Sequence, residues 1–334
     1  MRLPAGTFAL GSFSGGGRAF PGLLVPGERV VDLSAEGIRP HRFRSTAEIL
    51  GAWDVSLETL DAVAERRARE EGPGEVPLCE LSVLAPVAPR QVLQSGANYR
   101  RHVIDLAVDK QIGMRPGMSV EDLRAEATRM MDDRTASGEP YVFLGAPSAI
   151  CGPYDDVLLP ARGDEHDWEL ELAAVIGRSG REVPVADALD HVAGYTICND
   201  LTTRDLVHRP DLAAIGSDWV RGKNSPTFLP TGPWLVPARF VPDPGALRIT
   251  LRLNGEVMQD ETTADMIFDV ARLVSYVSAT VGLQEADLLL TGSPAGNGTH
   301  HGRFLRDGDV MEGEITGLGT QRNRCAGPTN GEGD

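Results

Sequence analysis

Two glutamates one residue apart, Glu169 and Glu171 in WELELAAVIG, offer the first candidate chemistry. On a β-strand side chains alternate between faces, so both carboxylates point one way while Trp168, Leu170 and Leu172 point the other. Such a pair can converge on one hard cation; a half-buried strand with a solvated acidic face is the alternative. The next apolar run, HVAGYTICND, stops at Asn199-Asp200, where the scaffold fixes a strand end and leaves it accessible. Asp200 is either a third ligand or a turn or helix cap before LTTRDL. Three carboxylates with no Cys/His set beside them suit Mg²⁺ or Mn²⁺ better than zinc. Arg204 and Lys223 follow; they could grip an anionic substrate, Arg bidentately and Lys as a point charge, or lie on the surface. Upstream, GANYRRHVIDLA places His102 and Asp105 three residues apart. On one helical turn the carboxylate would orient the imidazole as a general base for water; a surface pair is the alternative.

These residues need strands and short helices to position them. GLLVPGERVVDLS reads as a hairpin turning at Pro26-Gly27, and STAEILGAW and SLETLDAVAERRAREEG read as helices opening at serine N-caps. The first 80 residues therefore form a small α/β domain, with a proline-spaced junction between about 73 and 92. From about 90 to 325, DDVLLP, WELELAAVIG, HVAGYTICND, WLVP, RITLRLNG and DVMEGEITG read as strands and outnumber the helices. One helix spans Ser119 to Met131 with the capping box Ser119-x-x-Asp122 and an apolar face of Val120, Leu123, Ala127 and Met130. Another, more buried, spans Phe268 to Leu283. The fold class is α+β and β-rich, with residues 326–334 as a flexible tail.

Composition excludes several functions. The 334 residues carry 32 Lys+Arg against 48 Asp+Glu, a formal net charge of −16 that disfavours nucleic acid as a partner. No apolar run approaches the length of a membrane span, and the start of the chain lacks a signal-peptide pattern, so a cytoplasmic protein is expected. The four cysteines (Cys79, Cys151, Cys198, Cys325) are scattered and read as reduced, mostly buried thiols.

GANYRRH, DWELELAAVIG, YTICNDLTTRD, GKNSPTFLPTGPWLV, LNGEVMQDETTADMIFDVARLVSYVS, LLLTGSPAGNG and GDVMEGEITGLGTQRN occur in an order and spacing that resembles the fumarylacetoacetate hydrolase family, over about Pro86 to Asn323. The preceding module is similar to the short N-terminal domain of bacterial members. The resemblance implies a mixed β-roll catalytic domain, usually a homodimer, that binds Mg²⁺ or Mn²⁺ through Glu169, Glu171 and Asp200. It implies a small 2-oxo or 1,3-dicarbonyl acid as substrate and a metal-stabilised enolate. His102 and Asp105 match the family's base dyad, with Asp105 where glutamate is usual. Lys223 matches the lysine that contacts developing negative charge; Arg204, Ser293 and Gly292 match substrate contacts.

The leading expectation is hydrolysis of a C–C bond in an acylpyruvate- or fumarylpyruvate-like acid. The same site without water attack gives a decarboxylase, isomerase or tautomerase, and a catalytically inactive acid-binding homologue is the third reading. Three departures bear on the choice. Asp105 is one methylene short, Val207 stands where glutamine often follows the arginine, with His208 beside it as a possible substitute, and Gly145 stands where lysine is frequent. The stretch from Asp109 to Glu139 is expected either to form a lid over the metal, with Met114, Met118, Met130 and Met131 supplying adaptable apolar contacts, or to be a surface helix packed on the core or dimer mate.

Overall fold

The computed structural model describes residues 3–35, 38, 42–69, 74–214 and 216–327. The fold is a mixed, sheet-rich α+β arrangement. Its centre is a six-stranded sheet in the order Val236–Pro237, Val192–Asn199, Leu170–Ile176, Leu288–Leu290, Val92–Gly96, Tyr141–Gly145. All neighbours are antiparallel except Leu288–Leu290 and Val92–Gly96, which run parallel. A five-stranded sheet orders Glu256–Thr262, Arg248–Leu253, Val310–Ile315, Gly319–Ala326 and Val157–Leu158, and contributes Leu251, Met311 and Ile315 to the same core.

The strand Leu170–Ile176 explains why the candidate carboxylates are buried. Leu170, Leu172, Ala174 and Ile176 enter the core shared with the second sheet, whereas Ala173 and Val175 enter another with Phe8, Leu10 and Leu23 from the N-terminal region. Both faces are therefore covered, as strands with continuous apolar runs require. Glu169 and Glu171 share the face of Ala173 and Val175, so the solvated acidic face weighed as an alternative does not exist.

The N-terminal sheet orders Glu75–Pro77, Arg29–Asp32, Arg18–Val25, Ala9–Gly15 and Ser82–Leu84. The hairpin forms as the sequence suggests, with Leu24 opposite Val30. The proline-spaced junction supplies two of the five strands. This sheet is tied to the rest by reciprocal backbone bonds between Leu10 and Leu235, at 2.8 and 2.7 Å.

Helix α1 (Thr46–Leu50) opens at the Ser45 N-cap. Helix α2 (Trp53–Arg69) starts earlier than expected, and Ser56 is a buried interior residue instead of its cap. Helix α3 (Arg100–Asp109) carries His102 and Asp105. Helix α4 (Val120–Ser137) has the expected capping box at Ser119 and Asp122 and continues past Met131. It buries Leu123, Ala127 and Met131, leaving Val120 and Met130 each 53% exposed. The apolar stripe is thus rotated from the expected one, because a period of 3.6 fits either methionine. Short helices α5 (Arg204–Val207) and α6 (Trp219–Lys223) follow the site strands. Helix α7 (Val270–Thr280) is shorter than expected and capped by Asp269, and α8 (Gly298–His301) closes the glycine-rich loop. The strand Gly319–Ala326 reaches the start of the expected tail; residues 328–334 of it lie outside the described residues. Cys151, Cys198 and Cys325 are buried free thiols, and Cys79 is exposed. Among the described residues no helix is long and apolar enough to cross a membrane.

Candidate active site

Antiparallel pairing sets the site. Leu170 lies opposite Asn199 and Glu171 opposite Cys198, and the Asp200 N–H donates to the Glu169 carbonyl at 2.8 Å. Asn199 Oδ1 accepts from the Glu169 N–H at 2.9 Å, locking the two strand ends. This register brings together Glu169, Glu171 and Asp200, which are 7%, 1% and 2% exposed. One oxygen of each lies within 4.8 Å of the others.

Two cations come from the segment after Asp200. Lys223 Nζ donates to Glu169 Oε2 at 2.7 Å and to Asp200 Oδ2 at 2.6 Å. Arg204 donates from Nη2 to Glu169 Oε1 at 2.5 Å and from Nε to Asp167 Oδ2 at 2.8 Å. Both sequence-derived cations thus hold the acidic cluster. Asp167, which sequence reasoning missed, is fully buried and also accepts the N–H groups of Gly298 and Thr299, joining Arg204 to the start of α8. Its neighbour Trp168 hides it in the sequence, and its partners lie far along the chain.

Electrostatics differ across the trio. Burial would raise Glu169, but the charges of Arg204 and Lys223 outweigh it and hold the carboxyl low. Burial, opposed by Lys223, leaves Asp200 above its ordinary range. Burial together with the charges of Asp200 and Glu169 pushes Glu171 up strongly. Glu171 accepts the Gly292 N–H at 2.7 Å, but among the described residues no cation bonds to it. A buried carboxylate facing two others without its own counter-ion is an arrangement that a divalent ion neutralises. The all-oxygen donor set fits Mg²⁺ or Mn²⁺.

Gly292, expected to touch substrate, spends its N–H on Glu171. Its φ of +93° places it in the left-handed region, and a Cβ there would press on Asn98 and the Ser95 carbonyl. Ser293 Oγ accepts from Gln259 Nε2 at 3.0 Å and lines a cavity of about 180 Å³.

That cavity is also lined by the charged cluster, by His102, Val103 and Leu106 of α3, and by Phe143 and Trp219, whose ring centroids lie 5.9 and 6.0 Å from Lys223 Nζ. The last two stack at 4.7 Å, and Trp219 Nε1 donates to Tyr141 Oη at 2.7 Å. Val207, His208 and the four methionines expected in the lid are not among its lining residues. Val207 instead packs toward Gly222, and His208 pairs with Ser217. Helix α4 braces α3 from behind, through Arg124 to Asp105 at 2.8 Å and Asp132 to Arg100 at 2.6 Å.

His102 and Asp105 share one helical turn, but no hydrogen bond joins them. The Asp105 carboxylate is taken by Arg124 and, at 3.5 Å, by Arg101. Burial lowers the His102 pKa, against the attraction of Glu169, which favours a neutral imidazole. Both residues line a narrow crevice beside the main cavity, where His300 Nδ1 also lies 3.0 Å from Asp109.

Residues 91–326 match the family model described as fumarylacetoacetate (FAA) hydrolase C-terminal. The chain belongs to the fumarylacetoacetate hydrolase family. Among relatives in this family, the oxaloacetate tautomerase FAHD2A, mitochondrial, of Bos taurus is 35% identical over 301 residues, covering 89% of this chain and 84% of that protein. The 2-hydroxyhepta-2,4-diene-1,7-dioate isomerase of Mycobacterium marinum superposes with a TM-score of 0.67 at 26% identity, covering 98% and 100% of the two chains. The maleylpyruvate hydrolase of Sphingobium sp. SYK-6 gives 0.70 at 26% identity, covering 96% and 100%. By their names, the proteins to which this chain is similar include a tautomerase, an isomerase and a hydrolase.

Proposed function

We propose that this chain is a Mg²⁺- or Mn²⁺-dependent tautomerase or isomerase of a small 2-oxo acid, moving a proton at the carbon next to the carbonyl. The observation that carries the reading is His102, an imidazole on the cavity wall whose neighbour on the helical turn, Asp105, is committed to Arg124 and Arg101, while burial lowers the pKa of the ring and favours its neutral form. A lone neutral imidazole can take a proton from carbon and return it, which is all that a tautomerisation needs. A divalent cation held by Glu169, Glu171 and Asp200 would supply Lewis-acid stabilisation of the enolate. Lys223 and Arg204 hold Glu169 and Asp200 in place and offset part of the negative charge, so that with the cation bound the cavity would favour an anionic substrate. Phe143 and Trp219, beside Lys223, limit water there. The names of the tautomerase and isomerase relatives point the same way.

A second reading, hydrolysis of a C–C bond in an acylpyruvate-like acid, draws support from the crevice that His102 and Asp105 share. A side-chain rotation of Asp105 away from Arg124 would rebuild a dyad able to activate water. In either reading the working form is proposed to be a homodimer, as the family resemblance implies.

Asp105→Asn separates the two. Conversion of enol to keto oxaloacetate, followed by ultraviolet absorbance, should stay within about twofold of the parent, since Asn keeps the volume, the tautomerisation does not use this carboxylate, and its arginine partners are open to solvent. Cleavage of acetylpyruvate should be at background in both proteins. Acetylpyruvate cleavage by the parent that Asp105→Asn abolishes would replace the tautomerase reading with the hydrolase one.

A further inference from the structure

Gln94 is a fully buried amide in the middle of the apolar strand Val92–Gly96, opposite Leu290 on one side and Phe143 on the other. An amide in such a place costs free energy unless it is bonded. Its Nε2 donates to Asp200 Oδ1 at 2.6 Å, while Lys223 takes Oδ2 at 2.6 Å. The two donors grip opposite oxygens and so fix the plane of the carboxylate.

We infer that Gln94 is the positioning residue for Asp200, and that Gly145 is glycine because the amide needs the space its side chain would fill. The inference rests on the reading that Glu169, Glu171 and Asp200 hold a divalent ion. A neutral amide is suited to this role because it orients the carboxylate without cancelling the negative charge that a metal requires, as a second lysine or arginine would.

Gly145 supports the assignment independently. Its backbone is outside the left-handed region, so conformation does not demand glycine there. A Cβ at this position would overlap Gln94 Oε1, lie 2.9 Å from Gln94 Cδ and lie 3.2 Å from Val92 Cγ1. A side chain at 145 therefore forces the end of the buried Gln94 side chain to shift, and on this inference it shifts away from Asp200. Gln94 Oε1 has no hydrogen-bond partner among the described residues, so the amide is held by its bond to Asp200 and by packing alone.

The test is a titration of the full-length protein with Mn²⁺ alone, read by electron paramagnetic resonance, with thermal unfolding of the metal-free proteins in parallel. Gln94→Met keeps the volume and removes the donor. It should weaken Mn²⁺ binding by about 10- to 100-fold, the usual effect of losing a partner of a metal ligand, without lowering the metal-free unfolding temperature. Gly145→Ala should weaken binding similarly, and Gln94→Ala/Gly145→Ala should be no weaker than Gln94→Ala, since both changes break one bond. Undiminished affinity in Gln94→Met, or additive losses in the double variant, would overturn the inference while leaving the metal site standing. An unaltered protein that binds no Mn²⁺ would remove the metal reading and this inference together.

Discussion

The carboxylate end of the central sheet and the α3–α4 arm facing it are built by opposite means. Glu169, Glu171 and Asp200 sit at strand ends locked by ladder bonds, covered on both faces, and held by buried donors from Lys223, Arg204, Gln94 and Gly292. The arm is joined by ion pairs that reach solvent, Arg100–Asp132 with both members open and Arg124–Asp105 with Arg124 open and Asp105 largely covered, over a narrow stripe of Leu123, Ala127 and Met131. Exposed pairs of this kind contribute about 0.2–1 kcal/mol each, whereas an unpaired buried charge costs several. The difference assigns roles. On the proposed function, cation binding would fall to the sheet end and the choice of reaction to the arm, where the engagement of Asp105 by Arg124 and Arg101 keeps it from serving His102.

That division can be broken at His102. His102→Gln should reduce oxaloacetate tautomerisation by about 10²- to 10⁴-fold, the usual contribution of a positioned acid or base, while Mn²⁺ affinity measured by titration stays at the parental value. Equal losses of rate and of metal affinity would show that arm and sheet do not act separately.

A smaller effect sharpens the same contrast. Burial depresses the folded-state pKa of His102, so the neutral form that accepts a proton persists below the ordinary imidazole value of about 6.5. The acid limb of a kcat/KM profile for the parent should therefore lie below that value, the rate falling as pH drops through it. His102→Gln should lack this limb. A limb at or above the ordinary value would mean that the imidazole is not shielded.

The sheet end was far more legible in the sequence than the arm. Strand period alone put Glu169 and Glu171 on one face, and the abrupt end of an apolar run marked Asp200. The capping box located α4 for the same local reason. Partners supplied by distant chain were hidden: Gln94 reaches Asp200 across 106 residues, and Asp167 meets Gly298 across 131. Gln94 is followed by Ser95 and Asp167 ends the polar run Asp164-Glu165-His166, so nothing local distinguishes either from a half-exposed strand position. Arg204 and Lys223 were recognised as site cations, but their partners are the carboxylates themselves, which only the register reveals. Asp105 was placed on the correct turn. Its engagement by Arg124 depends on how α4 docks, and the alternative stripes through Met130 and Met131 left that docking undetermined.

The central claim is that a divalent cation at the buried trio enables proton exchange on a 2-oxo acid. Its most direct test is hydrogen–deuterium exchange at C3 of oxaloacetate in D₂O, followed by NMR with Mg²⁺ and then with excess EDTA, for the parent and Glu171→Gln. The account expects exchange well above the protein-free Mg²⁺ control in the parent with Mg²⁺, and exchange no faster than the matched protein-free controls after chelation and in Glu171→Gln. Fast exchange that survives EDTA, or that Glu171→Gln retains in full, would contradict it.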